Sequence, residues 1–216
     1  VDCFTPYYDR RIKEANLAGL RGRDGFAFHE LDLRAADLDP LLAGVDWVFH
    51  QAAQPGVRAS WDDGFAEYTG HNLLGTQRLL EACRRARVAR FVFASSSSVY
   101  GNVPEGAVGE DAPTRPLSPY GVTKLASEKL VDVYHREFGL PTVSLRYFTV
   151  CGPRQRPDMA FHKILAALHA GRAFPQYGDG SQMRDFTFVD DAVEANLLAV
   201  ERGRPGAVYN LSLIHI

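Results

Sequence analysis

The chain has 216 residues, of which 46% are hydrophobic and 23% are charged, a composition typical of a globular protein. Its 24 Lys and Arg residues are balanced by 26 Asp and Glu residues, and the formal net charge is -2, so no nucleic-acid partner is expected. No apolar run reaches the roughly 18 residues of a membrane-spanning helix. The three cysteines are far apart, which predicts a reducing, cytoplasmic location.

Hydrophobic periodicity predicts alternating helices and strands. The predicted helices cover residues 9–20, 62–86, 120–138 and 190–202. The predicted strands cover residues 26–33, 45–50, 90–94 and 142–147. The strand at 45–50 is almost continuously apolar, which indicates burial on both faces. Helix 62–86 is expected to direct six side chains toward a core, namely Phe65, Tyr68, Leu73, Leu79, Leu80 and Cys83.

This alternation predicts an α/β fold with a parallel sheet, in which ligands bind at the carboxyl ends of the strands. After Gly152 the elements become shorter and glycine and proline more frequent, which predicts a smaller second lobe. We therefore expect a cofactor-binding domain over 1–152 and part of a substrate-binding lobe over 153–211, with the chain crossing between them.

A glycine-rich segment near the start has the spacing of a dinucleotide-binding loop. Gly19, Gly22 and Gly25 follow a predicted helix and precede a predicted strand. A phosphate-binding loop requires the reverse order, because the phosphate must meet the N-terminus of a helix. We therefore predict an exposed turn.

Three segments carry side chains suited to alcohol oxidation. The serine run 95–98 ends a strand, Tyr120 and Lys124 share one face of a helix, and residues 146–148 end the next strand. An ammonium beside a phenol is expected to lower the tyrosine pKa toward the working pH. The hydroxyl of Ser96 can share the proton. Each motif alone is common. Their order along the alternating strands and helices is what predicts a catalytic site.

Here the sequence resembles the extended short-chain dehydrogenase/reductase family, specifically the nucleotide-sugar 4-epimerases and 4,6-dehydratases. The matching segments run through residues 30–33, 50–54, 71–76, 147–154 and 184–191. The resemblance implies a Rossmann-like, doubly wound parallel sheet that binds NAD. It also implies that a first strand, glycine loop and helix precede residue 1, and that residues 212–216 depart from the family pattern as a foreign or misread tail.

The resemblance assigns roles to residues by position. Tyr120 would be the general base, Lys124 its partner and a ribose ligand, and Ser96 the assisting hydroxyl. The residues expected around NAD are Asp2, Asp32, Leu33, Ala52, Ala53, Gln54, Asn72, Tyr120, Lys124 and Tyr147. The carboxylate of Asp2 would hold the adenosine ribose and repel a 2′-phosphate, which favours NAD over NADP. Arg184 would meet the diphosphate of a UDP-sugar substrate.

The residues after Ser96 bear on the reaction. The dehydratases of the family carry Asp-Glu at that point, whereas this chain has Ser97 and Ser98. Epimerisation at carbon 4 is therefore favoured. The run 149–160 is similar to UDP-glucuronate 4-epimerases, and Ser97, Ser98, Thr149 and Arg156 could bind the sugar carboxylate.

Several alternatives stay open at this point. The substrate could be UDP-glucose or UDP-N-acetylglucosamine, the reaction could be 4,6-dehydration, or the chain could be an inactive cofactor-binding-like module. The histidines show no ligand spacing, so no metal site is predicted. The resemblance implies a homodimer formed through helices 62–86 and 120–138, and neither a nucleic acid nor a membrane is expected as a partner.

Overall fold

A computed structural model describes residues 1–103, 106–176, 178–180 and 184–212. The helices are α1 (Arg10–Ala18), α2 (Asp39–Leu42), α3 (Phe65–Tyr68), α4 (Gly75–Ala86), α5 (Pro119–Phe138), α6 (Ala160–His169) and α7 (Val189–Glu201). The strands are β1 (Trp47–His50), β2 (Arg90–Ser96), β3 (Thr142–Tyr147), β4 (Thr149–Cys151), β5 (Phe186–Phe188) and β6 (Ala207–Leu211). Of the tail predicted at 212–216, only Ser212 lies within the described residues.

Four strands form a parallel sheet in the order β1-β2-β3-β6, and β4 pairs with β5 in a second, two-stranded parallel sheet. The predicted α/β fold with a parallel, Rossmann-like sheet is confirmed. In the part of the chain that the structure describes, no helix has the length and apolar character needed to cross a membrane.

Helices cover both faces of the larger sheet, as the period-2 pattern of β2 requires. Phe91 and Phe93 point into a core formed with α4 and α5, and Val92 points into a second core formed with α7. All three side chains are at most 1% exposed. This three-layer packing makes β2 the most deeply buried strand and fixes the position of its carboxyl end.

The ends of α5 are set by its own sequence. The Ser118 hydroxyl accepts a hydrogen bond from the Gly121 amide at 3.1 Å, and Pro119 occupies the first helical turn. Gly139 ends the helix with a φ of 68°, a left-handed conformation that costs glycine little. These caps place Tyr120 at the start of the helix, beside the carboxyl end of β2.

The predicted strand over 26–33 is wrong in extent. The segment makes one parallel bridge, between Asp2 and Glu30, through hydrogen bonds of 3.2 Å on either side of Asp2. Apart from this bridge, the described residues form no ladder with the segment. The glycine-rich segment 19–25 forms an exposed turn, as predicted, and Gly22 and Gly25 in it have left-handed φ angles and open space around them.

The expected burial of strand 45–50 on both faces is also wrong, because β1 is at the edge of the sheet. Trp47 is 51% exposed and Phe49 is 38% exposed. His50, by contrast, is buried in the sheet and packs against the rings of Phe91 and Phe93.

The long helix predicted over 62–86 is continuous in direction but not in hydrogen bonding. A 3-10 turn at Asp62–Gly64 and a π-helical segment at Thr69–Leu74 flank α3 before α4 begins. Tyr68, Leu79, Leu80 and Cys83 are buried as predicted, whereas Phe65 is 43% exposed. The π segment carries His71 and Asn72, and such segments are common where a helix bears functional side chains.

A buried ion pair joins α5 to the sheet. The Arg146 guanidinium on β3 lies 2.7 Å and 3.0 Å from the two oxygens of the Glu128 carboxylate on α5. The Ser95 hydroxyl on β2 donates to the same carboxylate at 2.6 Å, and Arg146 also donates to the Tyr100 hydroxyl and the Glu110 carbonyl. The two charged side chains are only 5% and 3% exposed, so each depends on the other for its electrostatic compensation.

Removing one partner of this pair should be strongly destabilising. We expect Glu128→Ala to lower the free energy of unfolding by about 3–5 kcal/mol, because it leaves the Arg146 charge buried and uncompensated. Asp132→Ala, on the same helix, breaks an exposed ion pair with Arg136. It should change the free energy of unfolding by at most about 1 kcal/mol. Urea unfolding of both variants checks this, and equal losses would show that the buried pair has no special role.

Candidate active site

A cavity of about 1050 Å³ opens at the carboxyl ends of β2 and β3. The structure brings together around it eight of the side chains singled out from the sequence, namely Ser96, Ser97, Ser98, Tyr120, Tyr147, Thr149, Arg156 and Arg184. They come from the ends of two strands, the start of α5 and the segments that follow Gly152. The cavity therefore lies where ligands bind in sheets of this type.

Glycine at position 121 allows the start of α5 to approach the serine run closely. A Cβ atom there would lie 2.7 Å from the Ser98 carbonyl oxygen and 3.0 Å from the Cβ of Pro116. The Ser98 amide donates to the Ser96 hydroxyl at 3.2 Å, which turns the chain sharply after β2. As a result Ser96 and Tyr120 line the same cavity, within reach of each other.

The expected effect of Lys124 on Tyr120 is wrong for this structure. Burial raises the pKa of Tyr120, and the groups that oppose this rise are the Ser96 hydroxyl and the Arg156 guanidinium. The Lys124 ammonium instead donates to the Ala94 carbonyl on β2 at 2.7 Å. Its own pKa falls to about 8, because burial disfavours the charged form.

Behind Lys124 lies His50, which is 2% exposed and fixed by a 2.8 Å contact between its Nε2 and the Thr76 hydroxyl oxygen. The Thr76 hydroxyl donates to the Asn72 carbonyl, so the His50 nitrogen is the donor in this contact. Burial, reinforced by the charge of Lys124, lowers the pKa of His50 to about 3. The His50 imidazole is therefore neutral and does not repel the Lys124 ammonium.

A second cavity, of about 210 Å³, adjoins the first. Five of the residues predicted to surround the cofactor line it, namely Asp2, Asp32, Leu33, Ala52 and Ala53. Asp2 accepts a hydrogen bond from the Phe4 amide at 2.6 Å, and Asp32 is ion-paired with Arg34 at 2.8 Å. Carboxylates at this edge can accept hydrogen bonds from ribose hydroxyls, so the donor set fits the adenosine half of NAD.

Two residues predicted to bind the cofactor have structural roles here. Asn72 is 1% exposed, and its side-chain oxygen accepts from the Gln54 amide at 2.7 Å. Its nitrogen donates to the Gln54 carbonyl at 3.1 Å and to the Thr123 hydroxyl at 3.0 Å. Asn72 thus holds the backbone of Gln54 against α5, and shapes the cavity wall rather than lining it.

Sequence reasoning missed the link between the two cavities. Tyr7 and Arg156 line both of them. The Tyr7 hydroxyl donates to the Asp158 carboxylate at 3.2 Å, and Arg156 is ion-paired with the same carboxylate at 3.1 Å. No spacing in the sequence joins residue 7 to residue 158, so only the fold shows this contact.

The Tyr147 hydroxyl is held at the boundary of the first cavity by two amides. Asn196 on α7 donates to it in a short hydrogen bond, and Gln51 donates to it at 3.2 Å. Both partners were missed from the sequence. Glu128 could have been found, because it follows Tyr120 and Lys124 at intervals of four residues and therefore shares their helical face.

The histidine spacing predicted no metal site, but the fold brings a mixed set of ligand types together. One ligand atom each from Cys3, Asp32 and His71 lies within 4.8 Å of the other two. Cys3 and Asp32 lie beside the single bridge between residues 2 and 30, and His71 lies on the π-helical segment. Sequence spacing could not show this cluster, because its members come from three separate elements.

Comparison with known proteins places this geometry in a family. Residues 7–212 match the sequence profile of the NAD dependent epimerase/dehydratase family. The chain belongs to that family. It is 52% identical over 190 residues to a protein of Bacillus subtilis (strain 168) named as an uncharacterized UDP-glucose epimerase, YtcB, covering 88% of this chain. It is 39% identical over 199 residues to a probable UDP-glucuronate 4-epimerase of Rhizobium meliloti (strain 1021), covering 90% of this chain.

Among solved structures, the UDP-glucuronic acid 4-epimerase of Bacillus cereus, in complex with UDP-glucuronic acid and NAD, superposes with a TM-score of 0.94. It is 45% identical, and the match covers 98% of this chain and 68% of that one. The chain spans 59% of the length of the Bacillus subtilis relative and 58% of the Rhizobium meliloti relative.

Proposed function

We propose that this protein is an NAD-dependent UDP-sugar 4-epimerase and that its substrate is UDP-glucuronate. The observation that carries the proposal is the set of side chains around the larger cavity. The half-buried Tyr120 shares the cavity with the hydroxyls of Ser96, Ser97, Ser98 and Thr149 and with the Arg156 guanidinium. Such a site can move one proton and bind one anionic sugar.

Tyr120 would take the proton of the sugar 4-hydroxyl and later return it to the same oxygen, after the keto-sugar has turned its other face to the hydride donor. Ser96 supports this role, because its hydroxyl opposes the rise that burial causes in the Tyr120 pKa. Bound NAD supplies the hydride acceptor and donor. Lys124 would meet the cofactor ribose once its ammonium turns from the Ala94 carbonyl, and Arg184 would face the substrate diphosphate at the far side of the cavity.

The residues of the cavity favour epimerisation over elimination of water. Elimination needs an acid and a base beside the carbon that loses the hydroxyl, and Ser97 and Ser98 occupy the positions directly after Ser96. Of the described residues lining the cavity, Asp158 carries a carboxylate, which is already bound by Tyr7 and Arg156. A 4,6-dehydratase activity is therefore the less favoured alternative.

Tyr120→Phe should abolish most of the turnover of the full-length enzyme. The change removes the proton acceptor but keeps the ring, so we expect kcat to fall by a factor on the order of 100 or more with KM nearly unchanged. Tyr134→Phe, on the same helix, removes a hydroxyl bonded to Glu81 on α4, away from the cavity, and should leave kcat within about twofold. Steady-state kinetics on UDP-glucuronate decide this, and near-wild-type turnover by Tyr120→Phe would refute the assignment of the base.

Thr149→Val tests the identity of the sugar. A carboxylate that leaves water must be met by donors, so losing one hydroxyl should reduce kcat/KM for UDP-glucuronate by an amount equivalent to about 1–3 kcal/mol. The same change should leave kcat/KM for UDP-glucose nearly unchanged, because an uncharged carbon-6 hydroxyl needs fewer hydrogen-bond donors than a carboxylate. If the unaltered enzyme prefers UDP-glucose or an N-acetylated sugar, or the ratio of the two kcat/KM values does not move, the glucuronate assignment fails and the plain hexose epimerase replaces it.

We also propose that the full-length protein is a homodimer that associates through α4 and α5. The outer faces of these helices and of the π segment before α4 expose Leu74, Val122, Val133 and Phe138, each at least 38% accessible. Leu74→Glu combined with Val133→Glu should therefore shift a dimer to monomer in light scattering at micromolar concentration. A strictly monomeric unaltered protein would rule the dimer out.

A further inference from the structure

We propose that Cys3, Asp32 and His71 bind a divalent cation of the zinc class. The three ligand atoms lie within 4.8 Å of one another and face the junction of the 210 Å³ cavity with a neighbouring one of about 730 Å³. A thiol, an imidazole and a carboxylate form a donor set typical of Zn²⁺, and three protein ligands leave a fourth position open to water. The site is therefore accessible from the cavities and incomplete without a further ligand.

The surroundings of the cluster carry negative charge. Asp2 lines the same cavity as Cys3, and the Glu67 carboxylate lies 3.2 Å from the His71 ring. These carboxylates attract a cation, which would take the place of the thiol proton of Cys3.

Arg34 is the group that opposes a cation at this position, since its guanidinium is ion-paired with Asp32 at 2.8 Å. A second carboxylate is within its reach, however, because Glu67 lies 3.3 Å from Arg34. Glu67 also lies 3.2 Å from the His71 ring. Binding of a cation would therefore leave Arg34 with Glu67, and Glu67 would remain as an outer partner that orients the imidazole.

The cluster lies where a bound cation would affect binding of the cofactor. Cys3, Asp32 and His71 all line the cavity that also contains Asp2 and Leu33. If that cavity takes the adenosine half of NAD, which rests on the proposed function, a bound cation and the cofactor exclude each other. The site would then make cofactor binding sensitive to free zinc and to oxidation of Cys3.

Cation binding by Cys3, Asp32 and His71 is tested on this chain with Co²⁺ as a spectroscopic substitute for zinc. Titration should give one bound ion with a thiolate-to-cobalt charge-transfer band. Cys3→Ser should remove the band, and His71→Gln should keep a thiolate but weaken binding at least about tenfold, as loss of even an outer partner does. Cys151→Ser, at the half-buried cysteine of β4, is the matched control and should titrate like the unaltered chain. Absence of the band, or equal affinities for all variants, would overturn the site.

The mutual exclusion of the cation and NAD is tested on the full-length protein by measuring NAD affinity with and without Zn²⁺. Zinc should raise the apparent Kd of NAD in the unaltered protein and leave it unchanged in Cys3→Ser. A cobalt site without this competition would refute the exclusion and separate the cation from the adenosine pocket. Failure of NAD to bind even without metal would refute the proposed function, while the cobalt titration would still decide the cation site.

Discussion

The buried pair between Arg146 and Glu128 holds β2, β3 and α5, which line the larger cavity, in one geometry. Its guanidinium extends from β3, its carboxylate extends from α5, and the Ser95 hydroxyl joins β2 to the same carboxylate. Each charge is almost removed from water, so the pair is stable only when all of its hydrogen bonds are made together. The elements that carry these groups are therefore not free to slide past one another.

The residues that we propose to be catalytic are next to this network in sequence. Ser96 follows Ser95, Tyr147 follows Arg146, and Tyr120 lies two turns before Glu128 on α5. The network extends further through Tyr100, which donates to the Asn210 side chain on β6 at 2.7 Å. A single buried charge pair thus sets the spacing between the strand ends and the helix that carries the proposed base.

The electrostatics of the site follow from this burial. Burial raises the pKa of Tyr120, the group that we propose loses a proton. The Ser96 hydroxyl and the Arg156 guanidinium oppose that rise, whereas the Lys124 ammonium donates to the Ala94 carbonyl. If Tyr120 is the base, its activation in this structure rests on Ser96 and Arg156.

The sequence predicts the central elements well because their signals are local. The apolar run of β2, the Ser118-Pro119 start of α5 and the strand before Tyr147 need no distant partner to be recognised. The strand over 26–33 was overpredicted because pairing depends on a neighbour that periodicity does not show. The exposure of Trp47 and Phe49 depends in the same way on what covers the sheet edge.

For the site residues, too, the outcome depends on whether the signal is local in the sequence or arises from tertiary packing. Side chains at the ends of predicted strands and helices meet around one cavity, as their positions indicate. The place of Asn72 near the cofactor stays a prediction, and the sequence did not show that its amide binds the Gln54 backbone across 18 residues of chain. The contact of Tyr7 with Asp158 and the convergence of Cys3, Asp32 and His71 arise only from tertiary packing, where a pattern in one segment carries no information about the other.

The proposed reaction oxidises one carbon of the sugar and then reduces it again with the same hydrogen. The most direct measurement follows UDP-glucuronate carrying deuterium at carbon 4 through the full-length enzyme. We expect UDP-galacturonate that keeps the label at carbon 4 and takes up no solvent hydrogen at carbon 5. Loss of the label, its transfer to another carbon, or solvent exchange at carbon 5 would contradict it and indicate elimination chemistry instead.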